Sequence, residues 1–206
     1  MFTGIVTAIG KIIRREERGD LRLAISCPWA PEDIAIGASI ACSGVCLTVV
    51  ERGGKEGEGW FAVDVSSETI SRTAKGMWDE GGRLNLEASL RIGDEIGGHI
   101  VTGHVDGVGI VHDWQPEGGS MRATIAASAE LAPFIAAKGS ITVDGVSLTV
   151  NSVYDRPEGD VHFGLNVIPH TADVTTLGEL RQGGEVNLEI DVVARYLQRM
   201  ASLRNL

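Results

Sequence analysis

Apolar and polar residues alternate over short stretches along most of the chain. Leu21-Arg22-Leu23-Ala24-Ile25 and Arg122-Ala123-Thr124-Ile125 keep a period of two, which places successive side chains on opposite faces of a strand. Gly19-Asp20, Gly53-Gly54, Gly81-Gly82, Gly118-Gly119 and Gly183-Gly184 interrupt these stretches as turns. About six short strands per ~100 residues predict a small closed barrel or sandwich. Two segments break the pattern. Ala129–Lys138 predicts a short helix that Pro133 starts rather than breaks; it occupies the place that Pro28–Ile34 holds earlier in the chain. After Asp191, Val193, Tyr196, Met200 and Leu203 are spaced 3, 4, 3, with Arg195, Gln198, Arg199 and Arg204 between them. That is an amphipathic helix with a coiled-coil-like seam. Alone it is too short to be stable, so it covers a barrel or joins equivalent helices of other subunits, and the pattern leaves both open.

The strand pattern is written twice. Ser43–Val50 (SGVCLTVV) returns as Asp144–Asn151 (DGVSLTVN), Phe2–Val6 as Val101–Val105, Phe61–Gly76 as Phe163–Gly178, and Leu84-Asn85-Leu86-Glu87 as Val186-Asn187-Leu188-Glu189. All four matches keep their order and nearly their register. A period near 100 residues is too long for a solenoid unit and has the size of a small domain. Two similar but non-identical sites follow, one per copy, and the differences between copies assign roles.

Composition narrows the classes. A length of 206 residues suits two domains of about 100 residues or one larger one, and 43% hydrophobic content is enough for compact cores. No apolar run nears the roughly 20 residues that cross a bilayer, and the N-terminus lacks the pattern of a secretory signal. The net charge is −10, spread along the chain without a Lys/Arg block, which argues against nucleic acid and anionic membranes. Cys27, Cys42 and Cys46 are odd in number and form no CxxC pair, so neither a disulfide framework nor a zinc site is expected and a cytoplasmic setting fits.

Chemistry concentrates in the repeated segments. Alternation puts Cys46 and Thr48 on one face of a strand, and Ser147 and Thr149 on one face of its copy. A polar barrel face needs partners or marks a ligand. A buried Cys is ordinarily an inert small hydrophobe; its return as Ser147, beside Asp144, weighs against that. His104 replaces Ile5, a change from apolar to titratable that suggests a role limited to the second site, and His170 replaces Glu68. His99 and His104, five apart, do not share a face, and no triad completes a metal site. Glu68 and His170 have a plainer alternative, capping the turns that follow.

On these residues the chain resembles riboflavin synthase, the family built from two lumazine-binding repeats. The matching segments are Met1–Val6, Gly37–Ser39, Ser43–Val49, Glu68-Thr69, Gly97–His99, Thr102–Val105, Asp144–Val150, Ile168–Thr171 and Thr175–Gly178. The resemblance implies an all-β fold of two tandem six-stranded antiparallel Greek-key β-barrels related by pseudo-twofold symmetry, over residues 1–97 and 98–190, with a C-terminal α-helix, 191–206, that trimerises. It implies the dismutation of two molecules of 6,7-dimethyl-8-ribityllumazine to riboflavin and 5-amino-6-(D-ribitylamino)uracil by transfer of a four-carbon unit, without cofactor or metal. The substrate's 7-methyl group is acidic because the ring delocalises the carbanion, so orientation of two rings can supply much of the rate. Some relatives sit inside a lumazine synthase shell.

Carried over residue by residue, Gly4, Ile5, Val6, Cys46, Leu47, Thr48, Asp64, Val65, Ser66, Ser67, Glu68 and Thr69 line the N-terminal site. Gly103, His104, Val105, Ser147, Leu148, Thr149, Asn166, Val167, Ile168, Pro169, His170 and Thr171 line the C-terminal one. Lys138 matches a residue that contacts ligand from the neighbouring chain, and Phe2 packs beside the reacting rings. His104 and Ser147 are expected to move the methyl proton, with Asp144 orienting them; Cys46 serves the other molecule as nucleophile or contact. Two competing readings are a non-catalytic lumazine- or flavin-binding antenna protein of the same superfamily, and a flavin-dependent reductase barrel. The second requires a strand–GxGxxG–helix unit that the sequence lacks.

Overall fold

The computed structural model describes residues 1–157 and 159–204. Six antiparallel strands close the first barrel: β1 (Ala8–Arg18), β2 (Asp20–Cys27), β3 (Ser39–Cys42), β4 (Val45–Lys55), β5 (Glu58–Val65) and β6 (Arg83–Ala88). Their order is β1-β2-β5-β4-β3-β6, with β6 returning to β1, so the hairpin strands β3–β5 lie beside β2 as a Greek key. A short helix, α1 (Ser67–Arg72), links β5 to β6. The second half repeats the plan with β7 (Gly107–Glu117), β8 (Ser120–Ser128), β9 (Ser140–Val143), β10 (Val146–Thr149), β11 (Ser152–Asp155), β12 (Asp160–Val167), α2 (Pro169–Val174) and β13 (Glu185–Ile190). Its order is β10-β9-β13-β7-β8-β12-β11. The seventh strand arises because β10 and β11 are the two pieces of the strand that corresponds to β4. In β4 the register merely slips between Val49 and Glu51; in the second half the ladder breaks at Val150-Asn151.

Alternation sorts the faces as expected, with the polar face outward. Val45, Leu47 and Val49 enter the first core, while Cys46 is half-buried and Thr48 exposed. Phe61, Leu23 and Ile25 are fully buried in one barrel, and Phe163, Ile125 and Leu165 in the other. Truncating either phenylalanine to alanine costs about 3–5 kcal/mol.

The expected helix at 129–138 is not formed. Only a 3-10 turn, Ala132–Phe134, is present, held by bonds from Phe134 N to Leu131 O (3.0 Å) and Ile135 N to Ala132 O (3.2 Å). Pro133 contributes no donor, and Leu131 and Ile135 turn inward to the core instead of continuing a helical face.

The repeated Asn-x-Glu of β6 and β13 joins the halves. Asn85 Nδ2 donates to Asp144 O, and Asn187 Nδ2 to Ser43 O, both at 2.9 Å. Asn85 Oδ1 accepts from Thr176 N (2.8 Å), and Asn187 Oδ1 from Ala74 N (2.7 Å). Each asparagine thus satisfies backbone groups of the opposite half. Between them the Gly44 and Gly145 turns abut: both have positive φ (+84°, +77°), and a Cβ on Gly145 would lie 2.6 Å from Gly44 N.

Helix α3 (Val192–Arg204) follows β13; residues 205 and 206 of the expected helix lie outside the described residues. Arg195 anchors it, donating from Nη2 to both Asp106 oxygens at 2.7 and 2.8 Å. Val193, Tyr196, Leu197, Met200 and Leu203 remain exposed, so the apolar seam does not cover either barrel. Among the described residues no helix is long and apolar enough to cross a membrane.

Candidate active site

Each barrel is entered through an arm that crosses to the other barrel. Phe2 pairs with Val101 in an antiparallel bridge, and from there the two arms diverge. Gly4 O accepts from Ser147 N, and Gly103 O accepts from Cys46 N, both at 2.8 Å. Val6 packs against the second core and Val105 against the first. Glycine is required at both crossings: φ is +75° at Gly4 and +79° at Gly103, and an added Cβ would lie 2.6 Å from the Cβ of Ser147 or Cys46.

Two buried carboxylates hold the arms down. Glu87 accepts from Thr3 N (2.6 Å), Thr3 Oγ1 (2.8 Å) and Gly4 N (2.9 Å). Glu189 accepts from Thr102 N and Thr102 Oγ1 (both 2.7 Å), Gly103 N (2.9 Å) and His104 N (3.1 Å). Burial pushes the Glu87 carboxyl above the usual range, against the opposing pull of the Thr3 and Gly4 donors.

The lining of the two sites is therefore exchanged relative to expectation. Gly103, His104 and Val105 face Cys46, with Val45, Glu68, Thr69, Arg72 and Thr73, around a cavity of about 210 Å3. Gly4–Val6 lies over Ser147 instead. Sequence matching pairs each arm with its own barrel because the repeat register says nothing about which way an arm crosses. His104 consequently does not meet Ser147. The imidazole beside Ser147 is that of His99, whose Nδ1 shares a 2.7 Å hydrogen bond with Ser147 Oγ. Burial lowers the His99 pKa, and its Nε2 is enclosed without a partner.

Three further expectations change. Asp144 does not orient Ser147: it sits at the seam between the barrels, where Oδ1 accepts from Asn187 N at 2.8 Å, and enclosure raises its pKa to about 7. Phe2 is 0% exposed, in a cluster with Ala41 and Val101, so it backs Cys46 rather than facing a ring. Leu47, Val65 and Val167 point into the cores, leaving only their backbone available to a ligand.

The other candidates lie on strands, on α1 and α2, or in a turn. Asp64 is exposed and paired with Arg22 (2.8 Å). Ser66 caps α1 by accepting from Thr69 N (3.2 Å), Ser67 opens that helix, and Glu68 pairs with Arg72 (2.9 Å). Asn166, Ile168, Pro169 and His170 are exposed, Thr171 is half-buried, and Pro169 starts α2. Leu148 is half-buried and Thr149 exposed. Lys138 is exposed, with φ +68°. Arg72 and His99 are site residues beyond the sequence expectation; Arg72 follows Glu68 at the i,i+4 spacing of a helical ion pair, a signal the sequence carries, whereas nothing local links His99 to a serine 48 residues on.

Two homologous barrels in one chain, each presenting a strand end under a borrowed arm, define a tandem-repeat barrel protein. The family model described as lumazine binding domain matches twice, at residues 3–89 and 102–191. The chain is 47% identical over 205 residues to riboflavin synthase of Brucella abortus (strain 2308), covering 98% of each, and 43% identical to that of Mycobacterium tuberculosis (strain ATCC 25618 / H37Rv), covering 97% of this chain and 98% of the other. A crystal structure of LumP complexed with riboflavin superposes with a TM-score of 0.78 at 25% identity, over 92% of this chain and 99% of that one; its complex with 6,7-dimethyl-8-(1'-D-ribityl) lumazine gives 0.76 at 24% identity. The chain belongs to the riboflavin synthase family, a family of enzymes of the transferase type.

Proposed function

We propose that this chain converts two molecules of 6,7-dimethyl-8-ribityllumazine into riboflavin and 5-amino-6-(D-ribitylamino)uracil, with one substrate held by each barrel. The observation that carries the reading is the doubled site: one chain offers two homologous strand ends, differently furnished, to a reaction that consumes two copies of one molecule. Residues 1–97 and 98–190 are the two binding domains, and α3 is the assembly helix. The first site comprises Cys46, Thr48 and Asp64–Thr69 under Gly103–Val105; the second comprises Ser147, Thr149 and Asn166–Thr171 under Gly4–Val6. The second holds the molecule whose 7-methyl group is deprotonated. His104 and Cys46, which line one cavity, serve the other, and an imidazole there is suited to proton transfer. No step calls on a metal or redox cofactor, because the substrate ring itself carries the carbanion.

The exposed seam Val193, Tyr196, Leu197, Met200 and Leu203 supports assembly into a homotrimer, in which Lys138 reaches a neighbour's ligand. The setting is cytoplasmic. The test uses purified protein and 6,7-dimethyl-8-ribityllumazine with nothing else added, following both products by chromatography. Equal amounts of riboflavin and the ribitylaminouracil are expected. The likeness to LumP favours one rival, a carrier, and tight fluorescent binding without turnover would establish it. Full turnover by His104→Gln would remove His104 from proton transfer.

A further inference from the structure

We infer that His99 is a positioning residue of the second site: its Nδ1–H occupies the Ser147 oxygen, so that the Ser147 hydroxyl donates its own hydrogen to the ring bound there. This rests on the dismutation reading above. The geometry is closely determined. His99 Nδ1 and Ser147 Oγ are 2.7 Å apart, His99 N donates to Thr3 O at 3.1 Å, and Ser147 N donates to Gly4 O at 2.8 Å. Ring, hydroxyl and arm are thus tied at three points. Gly98 makes the approach possible, since a Cβ there would lie 2.1 Å from Thr3 O and 2.9 Å from Ser147 Oγ.

The tautomer follows from the far side of the ring. Nε2 is enclosed without a partner. An orphaned buried N–H is among the rarest arrangements in folded proteins, and leaving a donor unsatisfied costs roughly 1–3 kcal/mol. The hydrogen therefore belongs on Nδ1, where it has an acceptor. Burial also keeps the ring neutral by lowering its pKa. A hydroxyl whose lone pair is taken by Nδ1–H presents its hydrogen elsewhere, and the remaining open side of half-buried Ser147 is the ligand face shared with Thr149. When solvent base removes the 7-methyl proton, the C–H electron pair stays on the substrate and spreads into the ring. A fixed donor stabilises that charge without reorganising. No bond of Ser147 or His99 breaks. Among the described residues the first site shows no equivalent pair: His104 shares a cavity wall with Cys46 without a hydrogen bond between them.

The unaltered protein, labelled with 15N-histidine, gives the first test. Long-range 1H–15N spectra should show His99 protonated at Nδ1; protonation at Nε2 would overturn the inference without reference to activity. Turnover of the lumazine gives the second. Ser147→Ala and His99→Leu should each lower kcat by roughly 100-fold with KM within about 3-fold, and the double variant should be no slower than Ser147→Ala. His99→Asn, whose Nδ2 overlies Nδ1, should recover to within about 5-fold of the unaltered chain. Multiplying effects, a change in KM alone, or unimpaired His99→Leu would each refute the role. If the unaltered chain binds the lumazine without turning it over, the dismutation reading fails, and the spectra still decide the tautomer.

Discussion

Alanine at Gly103 or at Gly4 separates the effects of the two crossing arms. At Gly103 a methyl group would lie 2.6 Å from Cys46 Cβ, 2.9 Å from Cys46 N and 3.0 Å from Phe2 Cε2. The first two neighbours are held by the β3–β4 ladder and cannot withdraw cheaply. The left-handed backbone adds about 1–2 kcal/mol for a residue with Cβ, and the overpacking about 1–3 kcal/mol. The arm can escape both by lifting off β4, losing the Cys46 N to Gly103 O bond. A penalty of at least 2 kcal/mol or so raises the population of the lifted arm by about 30-fold. Cys46 reports this directly, because Cys27 and Cys42 are buried while Cys46 is half-buried beneath Gly103. In Gly103→Ala, modification of Cys46 by an aromatic disulfide reagent should accelerate by more than tenfold under native conditions. Gly4→Ala, whose methyl would strike Ser147 Cβ at 2.6 Å, should leave that rate unchanged and weaken ligand binding at the second barrel. The opposite pairing, with Gly4→Ala exposing Cys46, would refute the exchange of arms.

Other outcomes follow from the seam, the clamps and the helix. Asp144 is held near 7 by enclosure, above its ordinary unfolded value, so its protonated form favours the folded chain; stability falls between about pH 4 and pH 7 and stays lower above that. Asp144→Asn keeps the acceptor for Asn187 N and should gain up to about 2–4 kcal/mol at pH 8 with little gain at pH 4, measured by urea unfolding at both. Glu189→Gln turns one of two accepting oxygens into a donor facing N–H groups; a loss of about 2–3 kcal/mol and faster Cys46 modification are expected, whereas Glu87→Gln should spare Cys46. Asn187→Leu leaves Ala74 N and Ser43 O unpaired at the seam and should lower the thermal midpoint by several degrees in calorimetry. Leu197→Glu with Met200→Glu should give monomers in sedimentation, with the secondary structure intact by circular dichroism.

Local periodicity made the strands, the duplicated barrels and the terminal helix legible, because strand faces and helical stripes are short-range properties of the chain. Leu47 inward and Cys46 outward follow from alternation alone. The failures are all questions of tertiary path. Gly4 is legible as a site residue, but not as one that approaches Ser147, since its direction of crossing depends on Phe2 meeting Val101. Closeness in sequence suggests that Asp144 serves Ser147; the sharp turn at Asp144-Gly145 sends its carboxyl toward Asn187 instead. An aromatic at position 2 suits a ligand wall, but its ring fills the crossing of the arms with Ala41 and Val101. The 129–138 segment has helical composition, but Leu131 and Ile135 are taken by the core before a helix can form.

The crossing of the arms also determines what half of this chain could be. Cut between Ala88 and Val101, either barrel would keep its strands and core but lose the wall of its own ligand site. A solitary half could complete a site only by trading arms with a second copy of itself, which would give two identical pockets. Joining two such halves in one chain keeps the trade and frees each pocket to change alone, so that a thiol can stand in one where a hydroxyl stands in the other. The division of labour between two identical substrate molecules is in this sense a product of covalent linkage.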